Sequence, residues 1–211
     1  MARKTSDVRI LITGFGPFPG APVNPTGPLI RALARALRKE DGVSVTIHTF
    51  RTTYAAVDRD LPRLLVKVKP QALLMFGLAT RSRGLRVETQ ARNRICRFPD
   101  AAGIVPATRR ISDDARMMMP IRAPKMALLR AAKSGPLSAR LSVNAGDYLC
   151  NYLYWHALAA TERGGLSRAA FVHVPLLDST EKPRSPRSMD NLLVAARAIA
   201  DTMIKAARPR Q

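Results

Sequence analysis

Residues 8–50 read VRILITGFGPFPGAPVNPTGPLIRALARALRKEDGVSVTIHTF, and the apolar spacing changes twice along this stretch. The apolar run at residues 8–13 is closed at once by Gly14, which predicts a short buried strand. Asn24-Pro25-Thr26-Gly27-Pro28 then supplies turn and cap chemistry. Beyond it, Ile30, Leu33, Ala34 and Leu37 fall on one helical face opposite Arg31, Arg35 and Arg38. Asp41-Gly42 ends that helix, and residues 43–50 read as a second strand. Apolar strands alternating with amphipathic helices are the rhythm of a mostly parallel sheet covered by helices on both faces.

The rhythm continues. Leu61, Leu64, Leu65 and Val68 share a helical face that Pro70 terminates, and residues 72–76 read as a third strand ending at Gly77. Residues 78–119 have no clean period and read as a long excursion of loops, with a short antiparallel strand around 85–88. Further elements are a helix over 120–133, a strand over 138–143, a helix over 147–162, a strand over 168–174 and a helix over 192–204. Residues 180–187 read as a polar, proline-rich loop. With no internal repeat and no linker, the expectation is one domain over residues 1–211, an α/β protein built as a three-layer α/β/α sandwich with a mostly parallel central sheet.

Composition allows this: 46% apolar and 24% charged residues in a chain of 211 is an ordinary globular mixture. The charge is less ordinary, 35 Lys plus Arg against 15 Asp plus Glu for a net +20, and it makes nucleic acid the first rival partner to weigh. The basic residues are spread along the whole chain, from Arg31 through Arg81, Arg97 and Lys205 to Arg210, without one continuous basic arm. That distribution reads as a solvated basic surface. Cys96 and Cys150 are the two cysteines, too few for a disulfide framework and without the spacing of a zinc site, so a reducing, cytoplasmic compartment is expected. The segment from Met1 to Asp7, with Arg3 and Lys4, leads into an apolar run too short for a secretory signal, and no stretch is long enough to span a membrane.

Two residues stand where chemistry is done in such folds. Cys150 comes after a strand and the turn Asn144-Ala145-Gly146 and falls in the first turn of the next helix, with Asp147 as the expected cap. Unpaired N–H groups and the positive dipole end there favour a thiolate, so a lowered thiol pKa is expected, although a lone cysteine is more often a structural thiol. His173 ends the apolar strand AAFVHVP, at the crevice end of an open sheet, where it can accept a thiol proton. His48 and His156 lie inside a strand and a helix and read as packing or surface residues. A base of this kind needs a carboxylate to fix its tautomer; spacing alone leaves Glu88 a solvated acid among arginines.

Three separated segments carry a resemblance. Residues 12–20, ITGFGPFPG, with Val23-Asn24-Pro25-Thr26 are similar to the TGFxPFGG…NP opening of the pyroglutamyl-peptidase I (pyrrolidone-carboxylate peptidase) family. Residues 142–151, SVNAGDYLCN, resemble its AGxxxCN nucleophile signature, and residues 171–175, FVHVP, resemble its histidine segment. The match runs in the expected order over most of the chain. It implies Cys150 as nucleophile, His173 as base and Glu88, in LRVE with Ala91 and Asn93 beyond it, as the carboxylate that orients the histidine. It further implies removal of an N-terminal pyroglutamyl residue from peptides through an acyl-enzyme, with no metal and no cofactor. Oxyanion donors would come from backbone N–H groups near the turn before Cys150 or from the loop after Gly84.

By the same resemblance Phe15 and Phe18 hold the pyrrolidone ring and Asn24 contacts its lactam, while Tyr148 and Leu149 form a further wall. Homodimers or homotetramers are the assemblies it implies. The chain also departs from the family. Leu78 stands where a glutamine is expected, Thr89 where an arginine is expected, the stretch from Asn93 to Asp100 is one residue short, and residues 107–119 are unusually basic. These departures and the net charge of +20 define the rivals, a related thiol amidase with altered acyl specificity and an inactive polyanion-binding homologue.

Overall fold

The computed structural model describes residues 7–18, 20–113, 115–178 and 185–208. The opening residues before Asp7, Pro19 of the first motif, most of the proline-rich loop and Arg210 lie outside the described residues. The elements run β1 (Val8–Phe15), α1 (Thr26–Leu37), β2 (Val43–Phe50), α2 (Tyr54–Val68), β3 (Ala72–Leu78), β4 (Leu85–Glu88), β5 (Gln90–Arg92), β6 (Met118–Pro120), α3 (Lys125–Ala132), β7 (Ala139–Ser142), α4 (Leu149–Glu162), β8 (Arg168–Val174) and α5 (Met189–Ala207).

Six strands form one sheet in the order β2-β1-β3-β8-β4-β7. All neighbours are parallel except β4 and β8, so the short antiparallel strand expected at residues 85–88 is present. From β1 the chain moves outward to β2 and then returns to the other side as β3, which opens a crevice at the carboxyl ends of β1 and β3.

Each sheet face carries its own apolar layer. Ile10, Ile12, Leu74, Phe76, Val87 and Val172 pack against α1, α3 and α5. Leu11, Leu73, Met75 and Phe171 point the other way, onto α2 and α4. The alternation comes from the two-residue period of a strand, and burying both faces is why these strands are apolar throughout. Each fully buried Leu, Ile or Phe contributes ~1.5–3 kcal/mol. The result is the three-layer α/β/α sandwich with a mostly parallel sheet.

The second helix stops ahead of Pro70 as expected, and the helix after it starts later than expected. The second helix begins at Tyr54, where Thr53 accepts a hydrogen bond from the Ala56 N–H at 3.2 Å, and it ends at Lys69 in the left-handed conformation (φ 47°) ahead of Pro70. The helix expected over 120–133 starts only at Lys125. Residues 118–120 are instead β6, antiparallel to β5, in a two-stranded sheet that sequence periodicity did not suggest.

The excursion at 78–119 is held by three buried polar side chains. Asn93 Oδ1 accepts from the N–H groups of Ile111 and Ser112 at 2.9 and 3.0 Å, and its amide donates to the carbonyls of Ser112 and Arg116. Asn151 donates to the Arg92 and Arg94 carbonyls and accepts from Arg92 N–H, fastening β5 to α4. Asp100 accepts from the N–H groups of Tyr54, Ala102 and Ile104. Side chains here satisfy backbone groups that no ladder satisfies.

Candidate active site

At the carboxyl end of the sheet, Gly77 of β3 pairs with His173 of β8, which pairs in turn with Arg86 of β4, and Arg86 pairs with Arg140 of β7. Directly paired residues point to one side of a sheet, so this row shares the face covered by α4. A Cβ built on Gly77 would stand 2.7 Å from Cys150 Sγ and 2.7 Å from Phe171 Cζ. The sulfur therefore occupies the space above Gly77, on the face that carries the His173 imidazole. Only glycine leaves that space open.

The turn before Cys150 uses Gly146 at φ 86°, where its N–H donates to Asn144 Oδ1 at 3.0 Å. Helix α4 then starts with Tyr148 as its N-cap and no side-chain cap. The expectation that Asp147 caps this helix is corrected. Its carboxylate lies 3.5 Å from Arg94, and its carbonyl accepts the Cys96 N–H. Among the described residues, no side chain accepts from the first-turn N–H groups of α4.

His173 Nδ1 lies 2.8 Å from Glu88 Oε1, and both side chains are buried. Arg86 also donates to Glu88 Oε1, from Nη2 at 2.7 Å and Nε at 3.0 Å, and to the Asn144 carbonyl. Burial alone would raise the Glu88 carboxyl, but the hydrogen bond and charge of His173 and the hydrogen bonds from Arg86 outweigh it and hold the group below its ordinary value. A carboxylate facing Nδ1 makes that nitrogen the protonated one and leaves Nε2 as the acceptor. Burial, reinforced by Arg86 and opposed by Glu88, keeps the imidazole below its ordinary value.

The thiol corrects a second expectation. Burial, with the Glu88 charge adding to it and Arg86 opposing, pushes Cys150 up to about 12. Removal of the sulfur from water outweighs its position at the helix start. Both shifts favour the uncharged forms, the thiol of Cys150 and the neutral imidazole of His173.

These groups open into a cavity of about 500 Å³ lined by all five residues singled out for substrate contact, Phe15, Phe18, Asn24, Tyr148 and Leu149, together with Cys150 and His173. Phe18 and Tyr148 face each other with ring centroids 6.5 Å apart. Tyr148 donates its hydroxyl to the Pro99 carbonyl, so the ring is fixed. Asn24 spends most of its amide on the loop, accepting from Thr26 and donating to the Gly16 carbonyl at 3.1 Å, with one N–H of the amide left over. Leu149 is buried in the core layer and reaches the cavity from behind. A larger cavity, about 1060 Å³, is lined by Arg122, Glu162, Arg168 and Lys205, with no cysteine or histidine among the described residues of its lining. His48 meets Phe50 edge-on at 4.6 Å and lies 3.3 Å from Asp60, and His156 meets Tyr152 edge-on at 4.5 Å, so neither belongs to the site.

A model of the pyroglutamyl peptidase family matches residues 8–206. The chain belongs to that family. A pyrrolidone-carboxylate peptidase of Thermococcus onnurineus is 30% identical over 205 residues, covering 94% of this chain and 100% of its own. One from Thermococcus litoralis is 33% identical over 79% of this chain and 76% of its own. The crystal structure of the pyrrolidone carboxyl peptidase of Fervidobacterium islandicum superposes with a TM-score of 0.83 at 25% identity, covering 94% of this chain and 99% of that one.

As a pyroglutamyl peptidase family member the protein is a cysteine peptidase, and its departures acquire structural meaning. Leu78 lines the cavity at the position where the resemblance leads one to expect a glutamine. Thr89 ties β4 to β7 through its N–H and hydroxyl, both donating to the Ser142 carbonyl. The cation on Glu88 is Arg86, two residues earlier on the same face. Sequence reading missed Arg86 because it stood as one basic residue among many. Its signal was the i, i+2 spacing to Glu88 within a strand, which puts both on one side.

Proposed function

We propose that this chain hydrolyses the bond after an N-terminal pyroglutamyl residue of peptides, with Cys150 as nucleophile, His173 as general base and acid, and Glu88 as the group that orients the imidazole. The observation that carries it is the buried 2.8 Å Glu88–His173 pair on the face where the Cys150 sulfur lies, opening into a cavity walled by Phe15, Phe18 and Tyr148. His173 Nε2 takes the thiol proton as sulfur attacks the pyroglutamyl carbonyl, and first-turn N–H groups of α4 receive the oxyanion. The intermediate collapses to a thioester as His173 protonates the departing amine. Water, deprotonated by the same nitrogen, then releases pyroglutamate and restores the thiol. Forming the thiolate only as the proton moves to His173 suits a sulfur held neutral at rest.

The flat, uncharged lactam suits an aromatic wall with the spare Asn24 N–H as its polar contact. We take residues 1–211 as one peptidase domain, working in the cytoplasm. The two half-buried free thiols support that compartment. Among the described residues no helix is long and apolar enough to cross a membrane. Exposed Phe98, Ile104 and Val105 support assembly into homodimers or homotetramers. Turnover of a pyroglutamyl arylamide, against prolyl and alanyl arylamides, tests the activity. Release from the pyroglutamyl substrate alone is expected; equal release from all three, or none, refutes it.

A further inference from the structure

The cavity wall is chemically lopsided. The aromatic residues lie toward β1, whereas Arg86 and Arg140 continue the row from His173 in register on β4 and β7, and Arg81 comes from the loop after β3. Arg81 and Arg140 are exposed and have no hydrogen-bond or ion-pair partner among the described residues. Among the described residues, no Asp or Glu lines this cavity.

The order across the sheet assigns the two ends. The acyl ring belongs with Phe15 on β1, the sulfur sits over Gly77 of β3, and the departing amine must reach His173 on β8 to be protonated. The peptide beyond that amine is then carried over β4 and β7, where the guanidinium groups are. Arg86 is already matched by Glu88, which leaves the other two arginines to act on a substrate.

We infer that Arg81 and Arg140 form an anion-recognising subsite for the leaving peptide, so that the enzyme prefers substrates with a carboxylate close behind the scissile bond. That carboxylate is either an acidic side chain on the second residue or the terminal carboxylate of a dipeptide. Guanidinium groups suit both, since they present paired N–H donors to a carboxylate and keep their charge at every working pH. The inference rests on the peptidase reading of this site.

The test compares kcat/KM at low salt for pyroglutamyl-alanine amide, pyroglutamyl-glutamate amide, pyroglutamyl-lysine amide and pyroglutamyl-alanine with a free carboxylate. The glutamate peptide is expected to exceed the lysine peptide by roughly tenfold or more, narrowing as salt screens the exposed charges. The free-carboxylate dipeptide against its amide separates the terminal source from the side-chain source. In the double variant Arg81→Gln/Arg140→Gln the acidic-to-neutral ratio falls toward one, with the neutral amide showing within each preparation that the enzyme is folded. Equal rates for the acidic and basic peptides, or a ratio unmoved by the double variant, overturns this subsite while leaving the peptidase reading intact. Failure to cleave any of the four sinks both.

Discussion

Glu88 Oε1 faces His173 Nδ1 at 2.8 Å in a setting where both side chains are buried and Arg86 donates to the same oxygen. One carboxylate oxygen thus receives both the imidazole and the guanidinium. Arg86 limits the cost of burying the carboxylate, and the carboxylate in turn stabilises the imidazolium that forms when sulfur loses its proton. On the proposed mechanism, Glu88→Gln lowers kcat on a pyroglutamyl arylamide by about 10²–10⁴-fold with a smaller change in KM. An unchanged kcat in a folded variant would remove Glu88 from the mechanism.

Replacement of Cys150 by Ala removes the nucleophile while keeping the helix. Turnover falls to the detection limit, a loss on the order of 10³-fold or greater, and stoichiometric alkylation of the wild-type thiol does the same. Mass spectrometry of the alkylated protein should place the label on Cys150. Activity surviving in Cys150→Ala ends the cysteine mechanism.

The pH profile is set by His173 and Cys150. His173 is kept below its ordinary value by burial against the opposing pull of Glu88, so the acid limb of kcat/KM, where the base is lost to protonation, lies below pH about 6.5. Cys150, raised to about 12 mainly by burial, contributes no alkaline rise across the neutral range. A free thiolate nucleophile would instead bring activity up around pH 8.5. That rise, if measured, contradicts the neutral resting pair.

Gly77→Ala places a methyl group 2.7 Å from the Cys150 sulfur and 2.7 Å from the Phe171 ring. Overpacking of this kind costs ~1–3 kcal/mol and displaces the sulfur, so a lower midpoint in denaturant and a larger loss of kcat are expected together. Wild-type kcat in this variant would mean that the sulfur position is not critical.

Asn151→Ala cuts three hydrogen bonds to the backbone of Arg92 and Arg94 and leaves buried groups unsatisfied. A loss of roughly 2 kcal/mol is expected from urea unfolding, with faster amide exchange in β5. Loss of activity without loss of stability would instead point to a direct role in the reaction.

Much of this was open to reading along the chain. The strand over 43–50 and the strand over 168–174 lie where expected, and Val8–Phe15 extends its expected strand by two residues; burial on two covered faces gives β1 and β8 an apolar run, while the edge strand β2 shows its period as apolar residues alternating with Ser, Thr and His. The β5–β6 pair was not legible. Three-residue strands have no measurable period, and their pairing depends on Asn93 and Asn151, side chains whose partners are eighteen or more residues away. The expected cap and the lowered thiol pKa failed for a related reason, since both were inferred from local position and both were overruled by distant groups, Arg94 for Asp147 and the enclosing layer for Cys150.

Residue order alone determined the layered α/β sandwich and placed Cys150 at a helix start and His173 at a strand end, because periodicity and turn chemistry act between near neighbours. Tertiary structure decided what those residues face. Strand pairing puts Gly77, His173, Arg86 and Arg140 in one row, buries Glu88 against His173 and Arg86, and surrounds the sulfur closely enough to raise its pKa. Register and desolvation are properties of packed neighbours, and neither exists until the sheet has formed.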